Sequence, residues 1–338
     1  VRQAGCAYCE YTKVEPEAPV RNVEEALSIL RTDGCDLLLA IGGGSVMDAA
    51  KAVGVVATNG GHPRDWIGYE RFHTPPIPLF SIPTTAGTSS EVTAMAIIHD
   101  EEQGDKFTIG HKELNCSKVA FLDPQCLLGC PRQVIAVSGI DALSHNLESF
   151  LSQKANPITS ALSLEGVRLI VHNLPRVYAN SQNQMAALDL FSGSTMGGMA
   201  FTTAGCGHMH GIGRFVGPQL HLNHGLSVAW LMPEVIRFNA LAQPEKMRRL
   251  AQVMDIDSRG MSDGQVTDNV VEFIRSLIIS LNLHQEMADI IATDEDFEVL
   301  ADQCLAAYVK HYHAINPRLT QRQDYLDILK AAYRMWRR

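Results

Sequence analysis

The sequence has no apolar run approaching the ~20 residues that a membrane-crossing helix needs, which argues against a role within a bilayer. It has no dense basic patch either. Its 28 Lys and Arg stand against 37 Asp and Glu, a formal charge of −9, and that balance argues against a nucleic-acid partner. No charged-then-apolar leader opens the chain, and no internal repeat or low-complexity linker interrupts it. Cysteine is present but not organised: eight residues are scattered through both halves. Cys6 and Cys9 have CxxC spacing, but Cys126 and Cys130 are one residue too far apart to complete a zinc knuckle. Reduced thiols in a cytoplasm are the expectation. The chain starts at Val1, and its first legible α/β element is a helix. A preceding strand–helix segment is therefore expected upstream.

What is present is the composition of an ordered protein, 46% hydrophobic and 19% charged, at a length that implies two domains. Residues 23–33 carry Ala26, Leu27 and Leu30 at helical spacing, with Gly34 as a stop. "DLLLAI" (36–41) is a continuous apolar run and predicts a strand buried on both faces. A helix over 45–58 follows, then strands in "IPLFSIP", "AMAIIH" and "KVAFLD". This alternation predicts an α/β domain with a mainly parallel sheet, Rossmann-like and lacking its first strand, over 1–133. From 134 to 338 the strand signals stop. Helices are expected over 139–153, 157–178, 184–203, 224–240, 264–282, 295–312 and 321–335, the last capped by Thr320 with Gln323. The second domain is therefore all-helical.

In "AIGGGSVMDAAK" a strand meets a helix through Gly42, Gly43 and Gly44, which are free to adopt φ > 0 and to let a ligand approach the backbone. The helix N-terminus offers free N–H groups to a pyrophosphate. Neither GxGxxG nor a Walker A loop is present, so a plain strand-to-helix turn remains the alternative. "PTTAGTSSEVT" adds a second hydroxyl-rich loop after a strand, with Thr84, Thr85, Thr88, Ser89 and Ser90. In open α/β sheets such strand ends are where ligands bind, although serine- and threonine-rich turns are also common.

Four histidines fall within residues 207–225: His208, His210, His221 and His224. In "SGIDALSHNLESF", Asp141 and His145 stand i, i+4 on one helix face, with Gly139 just before the helix and Ser138 as its cap. Alone, such a pair reads equally as a surface ion pair. If His210 ends one helix and His224 begins the next, their rings can meet Asp141 and His145 at a helical corner. One carboxylate and three imidazoles suit Fe(II) or Zn(II), and not calcium or magnesium. His208, two residues from His210, points to another face. His208 and His221 are read as packing or surface residues.

Together, "GGGSVMDAAK", "PTTAGTSSEVT", "DALSHNLESF" and "AGCGHMHGIGRFVGPQLHLNHGLSVAWLMPEVIRFN" resemble the iron-containing, or group III, alcohol dehydrogenases, in the same order along the chain. The resemblance runs from about residue 15 to the C-terminus. It implies an active site in a cleft between the two domains, an NAD or NADP cofactor, a catalytic Fe(II) or alternatively Zn(II), a small primary alcohol or aldehyde as substrate, and a homodimer. It implies that Asp141, His145, His210 and His224 hold the metal. Gly43, Gly44, Ser45 and Asp48 would bind the cofactor's pyrophosphate and nicotinamide side, with Thr84, Thr85, Thr88, Thr93 and Lys106 completing that site. The chemistry implied is hydride exchange between an alcohol carbon and the nicotinamide, with a metal favouring alcohol deprotonation or aldehyde polarisation.

Three departures from the family stand out. The expected upstream segment, which selects NAD or NADP, is not in the sequence, and a sheet without it would have a damaged edge. Ser89 stands where the family's PTTAGTGSE has glycine. Arg214 stands where a proton-relaying histidine often lies, four residues after His210. Arginine stays protonated, so Arg214 would either salt-bridge an acid at the cleft edge or favour an anionic substrate. Two other readings remain: a dehydroquinate-synthase-like lyase, which needs a basic phosphate cluster around residues such as Arg168 and Arg176, and a non-catalytic dinucleotide-binding protein.

Overall fold

The amphipathic run that opens the first α/β unit forms helix α1 (Val20–Asp33), and Gly34 ends it in the left-handed region at φ 64. These coordinates come from a computed structural model that describes residues 3 and 5–337. After α1 come β1 (Leu38–Gly42), α2 (Gly44–Asn59), β2 (Gly68–Tyr69), β3 (Leu79–Pro83), β4 (Met95–Asp100), β5 (Asp105–Gly110) and β6 (Val119–Ala120). They belong to one compact unit, Val1–Cys126. Strands β1, β3 and β6 form a parallel sheet in the order β1-β3-β6. A second sheet, β2-β5-β4, pairs β2 with β5 in parallel and β4 with β5 antiparallel. Strand β5 carries charges at its start, and its apolar period is too short to mark it in the sequence. The core gathers the inner faces of α1 and α2 with Phe72, Ala96, Ile98 and Ile109.

Strand β1 corrects one expectation. It is not buried on both faces: Leu39 is 41% and Ile41 56% exposed, while Ala40 is buried. An apolar run reports strand propensity, but it cannot report how many neighbours the sheet supplies. Among the described residues β1 pairs on one side only, with β3.

The second compact unit, Leu127–Arg338, is all-helical. Its helices are α3 (Arg132–Leu151), α4 (Pro157–Ala179), α5 (Gln184–Ala204), α6 (His208–Gln219), α7 (His224–Ala240), α8 (Pro244–Val253), α9 (Asp263–Ser280), α10 (His284–Ala288), α11 (Asp294–Ala307) and α12 (Arg322–Trp336). The α/β and all-helical organisation is as the sequence predicts, and its details differ. Helix α3 begins seven residues before Gly139, after Pro131, so Ser138 lies inside it and donates to the Val134 carbonyl at 2.7 Å. Capping of α12 falls to Gln321 with Asp324 rather than Thr320 with Gln323. Helices α6, α8 and the five-residue α10 fall outside the helices expected from the sequence; in α6, Gly211, Gly213, Gly217 and Pro218 disguise the helix as a loop.

From residue 139 to its end, α3 is buried almost without interruption. It packs against α4, α5 and α7. Trp336 of α12 donates its indole N–H to the Trp230 carbonyl of α7 at 2.9 Å and closes the bundle. No helix among the described residues is long and apolar enough to cross a membrane.

Candidate functional site

In the first unit two loops meet at the carboxyl ends of adjacent parallel strands. Gly42 ends β1 opposite Pro83 of β3, and the Thr84 N–H donates to the Gly42 carbonyl at 3.0 Å. None of Gly42, Gly43 and Gly44 lies in the left-handed region, contrary to the conformational reason expected for them; Gly43 has φ −81. Space is what requires glycine here. A Cβ on Gly43 would come 3.1 Å from Thr85 Oγ1, and one on Gly44 would come 2.7 Å from Thr88 Cγ2. No side chain caps α2 at Gly43, so the first-turn N–H groups of α2 remain for a ligand. Ser89 takes the unfavourable backbone instead: it is buried at φ 55, the left-handed conformation that glycine adopts without strain.

Behind these loops sits a buried polar network. Asp48 Oδ1 accepts from the Ser90 hydroxyl at 2.5 Å, and Asp48 Oδ2 from the Ile97 N–H at 2.9 Å. The Lys51 ammonium, 3.9 Å from Asp48, donates to Ser90 Oγ at 2.8 Å and to the carbonyls of Thr93 and Met95 at 2.9 and 2.8 Å. Burial pushes Asp48 up and Lys51 down, and their mutual attraction opposes both shifts. Asp48 and Thr93 were expected at the cofactor, yet their polar atoms are engaged inside the unit and shape the loops from behind. Lys106 is exposed and pairs with Glu17 at 2.6 Å. The Glu17 N–H donates to Ser45 Oγ at 2.9 Å, so Glu17 joins two candidate cofactor residues. Sequence reading passed over Glu17, since nothing local marks an acid whose partner lies 89 positions away.

The second unit gathers the histidines. Asn223 caps α7 by accepting from the Leu226 N–H at 2.9 Å, which sets His224 in the first turn. His210 lies in the first turn of α6 rather than closing a helix as expected. Asp141 Oδ1 is 3.5 Å from His210 Nε2, 3.6 Å from His224 Nε2 and 4.0 Å from His145 Nε2. Two donors each about 2.1 Å from one tetrahedral ion stand roughly 3.4 Å apart, so these spacings suit a single Fe(II)- or Zn(II)-sized cation. The ligand atoms of Asp141, His210 and His224 lie within 4.8 Å of one another. His145 joins through Asp141 and stacks on His210, ring centroids 4.6 Å apart.

Asp141 Oδ1 and His210 Nε2 are buried and make no hydrogen bond. In a protein interior such atoms carry a cost unless a ligand meets them. Burial alone would raise Asp141, but His145, His210 and His224 outweigh it and hold the carboxyl far below the usual range. For His210, burial works against the proton, while Cys206, Glu148 and Asp141 draw the proton on. The same negative field attracts a metal cation, so proton and metal compete.

Glu148 supports the set and went unread in the sequence. Its Oε2 accepts from His210 Nδ1 at 2.6 Å, and its Oε1 accepts from the Met209 N–H at 2.5 Å. The first contact leaves Nε2 as the imidazole's coordinating atom; the second satisfies a free N–H at the start of α6. Gly207 admits this carboxylate, since a Cβ there would come 3.3 Å from Glu148 Oε1. The available signal was position: Glu148 lies seven residues after Asp141, on the same face of α3.

His208 is buried, bonds Thr320 Oγ1 at 2.7 Å and is pushed down to about 3 by that burial, so it is a neutral packing residue. His221 is exposed at φ 54. Arg214 is exposed, its guanidinium 5.2 Å from the Phe215 ring. The acidic partner expected for it does not appear among the described residues. Arg168, read as a member of a possible phosphate-binding cluster, pairs with Glu165 at 2.8 Å.

The chain is similar to known proteins over nearly its whole length. A family model described as "Iron-containing alcohol dehydrogenase" matches residues 1–124, and one described as "Fe-containing alcohol dehydrogenase family, C-terminal" matches residues 135–333. The chain is 32% identical to the 1,3-propanediol dehydrogenase of Klebsiella pneumoniae over 334 residues, covering 98% of this chain and 85% of the relative. It is 31% identical to the NAD-dependent methanol dehydrogenase of Bacillus methanolicus, covering 98% and 86%. The crystal structure of a 1,3-propanediol oxidoreductase superposes with a TM-score of 0.92 at 32% identity, covering 98% of this chain and 86% of that one.

Proposed function

The chain belongs to the iron-containing alcohol dehydrogenase family and is an oxidoreductase of alcohols and aldehydes; from that premise we propose that Asp141, His145, His210 and His224 hold its divalent metal, iron in the first instance. The observation that carries this is the buried, unbonded Asp141 Oδ1 with three imidazole nitrogens 3.5–4.0 Å away. When bound there, the metal supplies Lewis acidity toward an alcohol or aldehyde oxygen, and a nicotinamide supplies the hydride acceptor or donor. Glu148 orients His210 for that task and fixes its tautomer.

Gly42, Gly43, Gly44 and Ser45, with Thr84, Thr85 and Thr88, take the dinucleotide's pyrophosphate at the start of α2; Asp48, Lys51 and Thr93 hold the two loops, and Lys106 with Glu17 flanks them. NAD is the cofactor of the reading, as in the methanol dehydrogenase relative. The substrate is a short primary alcohol, the class to which the two named relatives' substrates belong. Arg214, exposed one helical turn after His210, favours an anionic group on that substrate. All eight cysteines are free thiols, which fits a cytoplasmic protein.

One preparation tests the reading. Metal content and aldehyde-dependent NADH oxidation are measured before and after chelation, then after adding Fe(II) or Zn(II). Activity should follow metal content and return with Fe(II). Full activity in the metal-free protein would sink the proposal. For Arg214, the comparison is Arg214→Ala on a neutral aldehyde and on a semialdehyde acid. A selective loss of about 10- to 100-fold on the acid supports anion recognition, and equal losses remove it.

A further inference from the structure

Cys206 lies in the turn between α5 and α6, flanked by Gly205 at the end of one helix and Gly207 at the start of the next. Its sulfur and one nitrogen each of His145 and His210 lie within 4.8 Å of one another. This trio shares His145 and His210 with the four-residue set proposed above, and its sulfur is a different kind of donor. We propose that Cys206, His145 and His210 form a second, alternative metal-holding arrangement, selective for thiophilic divalent cations such as Cd(II) or Zn(II).

The chemistry follows from the donors. Sulfur and imidazole suit a soft or borderline cation, whereas a carboxylate with imidazoles also suits Fe(II). Metal–sulfur and metal–nitrogen bonds of about 2.3 and 2.1 Å place such donors roughly 3.4–3.7 Å apart, so closing the trio asks for about 1 Å of side-chain movement. Cysteine has a single side-chain torsion before its sulfur, and that torsion supplies the adjustment. Binding replaces the thiol proton with the cation and releases that proton to solvent; no electron moves. Because His145 and His210 belong to both arrangements, a cation held by Cys206 competes with one held by Asp141. Thiophilic cations are then inhibitors that expel iron. The competition rests on the metal assignment made above, whereas the binding at Cys206 does not.

The test uses chelator-treated protein titrated with Cd(II), read as ultraviolet thiolate-to-metal charge-transfer absorption. The parent should develop the band. Cys206→Ser should lack it, and the affinity for Cd(II) should fall at least about 10- to 100-fold. His224→Ala should retain it, because His224 belongs only to the other set. Circular dichroism on each variant, with Cys206→Ala as a second replacement, separates loss of the donor from loss of the fold. An unchanged band in folded Cys206→Ser overturns the proposal, and so does its loss in folded His224→Ala. The metal assignment has its own readout: Fe(II) retention should be lost in His224→Ala and kept in Cys206→Ser. Finally, Cd(II) should release Fe(II) from the parent, captured by a coloured iron chelator, and should do so at least tenfold less readily from Cys206→Ser.

Discussion

Asp48 in the first unit and Asp141 in the second are both largely buried, and both lie on helices beside basic side chains. Asp48 has both oxygens engaged, by a hydroxyl and a backbone N–H, with Lys51 nearby. Asp141 keeps one oxygen without a hydrogen bond, ringed by three imidazoles. Asp100 in the first unit repeats the satisfied pattern: Arg64 grips it with two bonds of 2.7 Å, and the backbone N–H groups of Glu102 and Gln103 add two more. The difference is instructive. A buried carboxylate whose bonds are complete holds a scaffold together. One whose bonds are incomplete, among side chains that also coordinate metals, marks the place where a ligand completes them.

Breaking the satisfied network should have the largest effect on stability. Lys51→Met strands a buried carboxylate, for which the loss is about 3–5 kcal/mol. Urea unfolding measures it, and a loss under about 1 kcal/mol would mean that Asp48 is neutral in the folded protein. Asp141→Asn should reverse the pattern. Metal affinity, by equilibrium dialysis, should fall by more than the ~10- to 100-fold that outer-shell changes cost. Stability of the metal-free protein should fall, because the imidazoles favour the ionised carboxyl, but by less than in Lys51→Met, where a buried carboxylate is left without its partner. If metal-free Asp141→Asn unfolds as readily as Lys51→Met, the distinction between the two carboxylates fails.

Glu148→Gln sharpens the comparison by keeping shape while removing charge. Metal affinity should drop about 10- to 100-fold, with the helical circular dichroism unchanged. Metal binding that is indifferent to this change would reduce Glu148 to a cap for α6. The smallest effect concerns acid. Arg64 holds Asp100 down to about 2, below its unfolded value of roughly 3.9. A carboxyl lowered in this way stabilises the fold fully above about pH 4 and loses that contribution as the pH falls toward 2. The stability gap between the parent and Asp100→Asn should therefore shrink between pH 5 and pH 3. An equal gap at both would assign the contribution to shape rather than charge.

Much of the second unit's site is legible in the sequence because its signals are local. The i, i+4 spacing of Asp141 and His145 follows from helical periodicity, and the two His-Gly steps flag His210 and His224. Glu148 and Cys206 are not legible in the same way. An acid seven residues along a helix acquires meaning only when α6 starts beside it, and a lone cysteine only when two imidazoles lie within reach. The first unit shows the opposite balance. Its glycines and threonines announce a loop, but their reason changes from backbone freedom to close approach once the second loop lies against the first. Asp48 and Thr93 turn inward because Lys51, three residues from one and 42 from the other, is buried between them.

By itself the sequence determined the order of elements, the change from alternating strands and helices to helices alone, and the candidate metal-binding side chains. These depend on periodicity, turn residues and donor chemistry, all carried within a few positions of the chain. Tertiary structure alone decided which carboxylate is satisfied and which is left open, why β1 shows one face to solvent, and that His208 packs while His210 meets Asp141. Those outcomes depend on which distant groups arrive at hydrogen-bonding distance, and a buried polar atom's role is set by the partners it finds there.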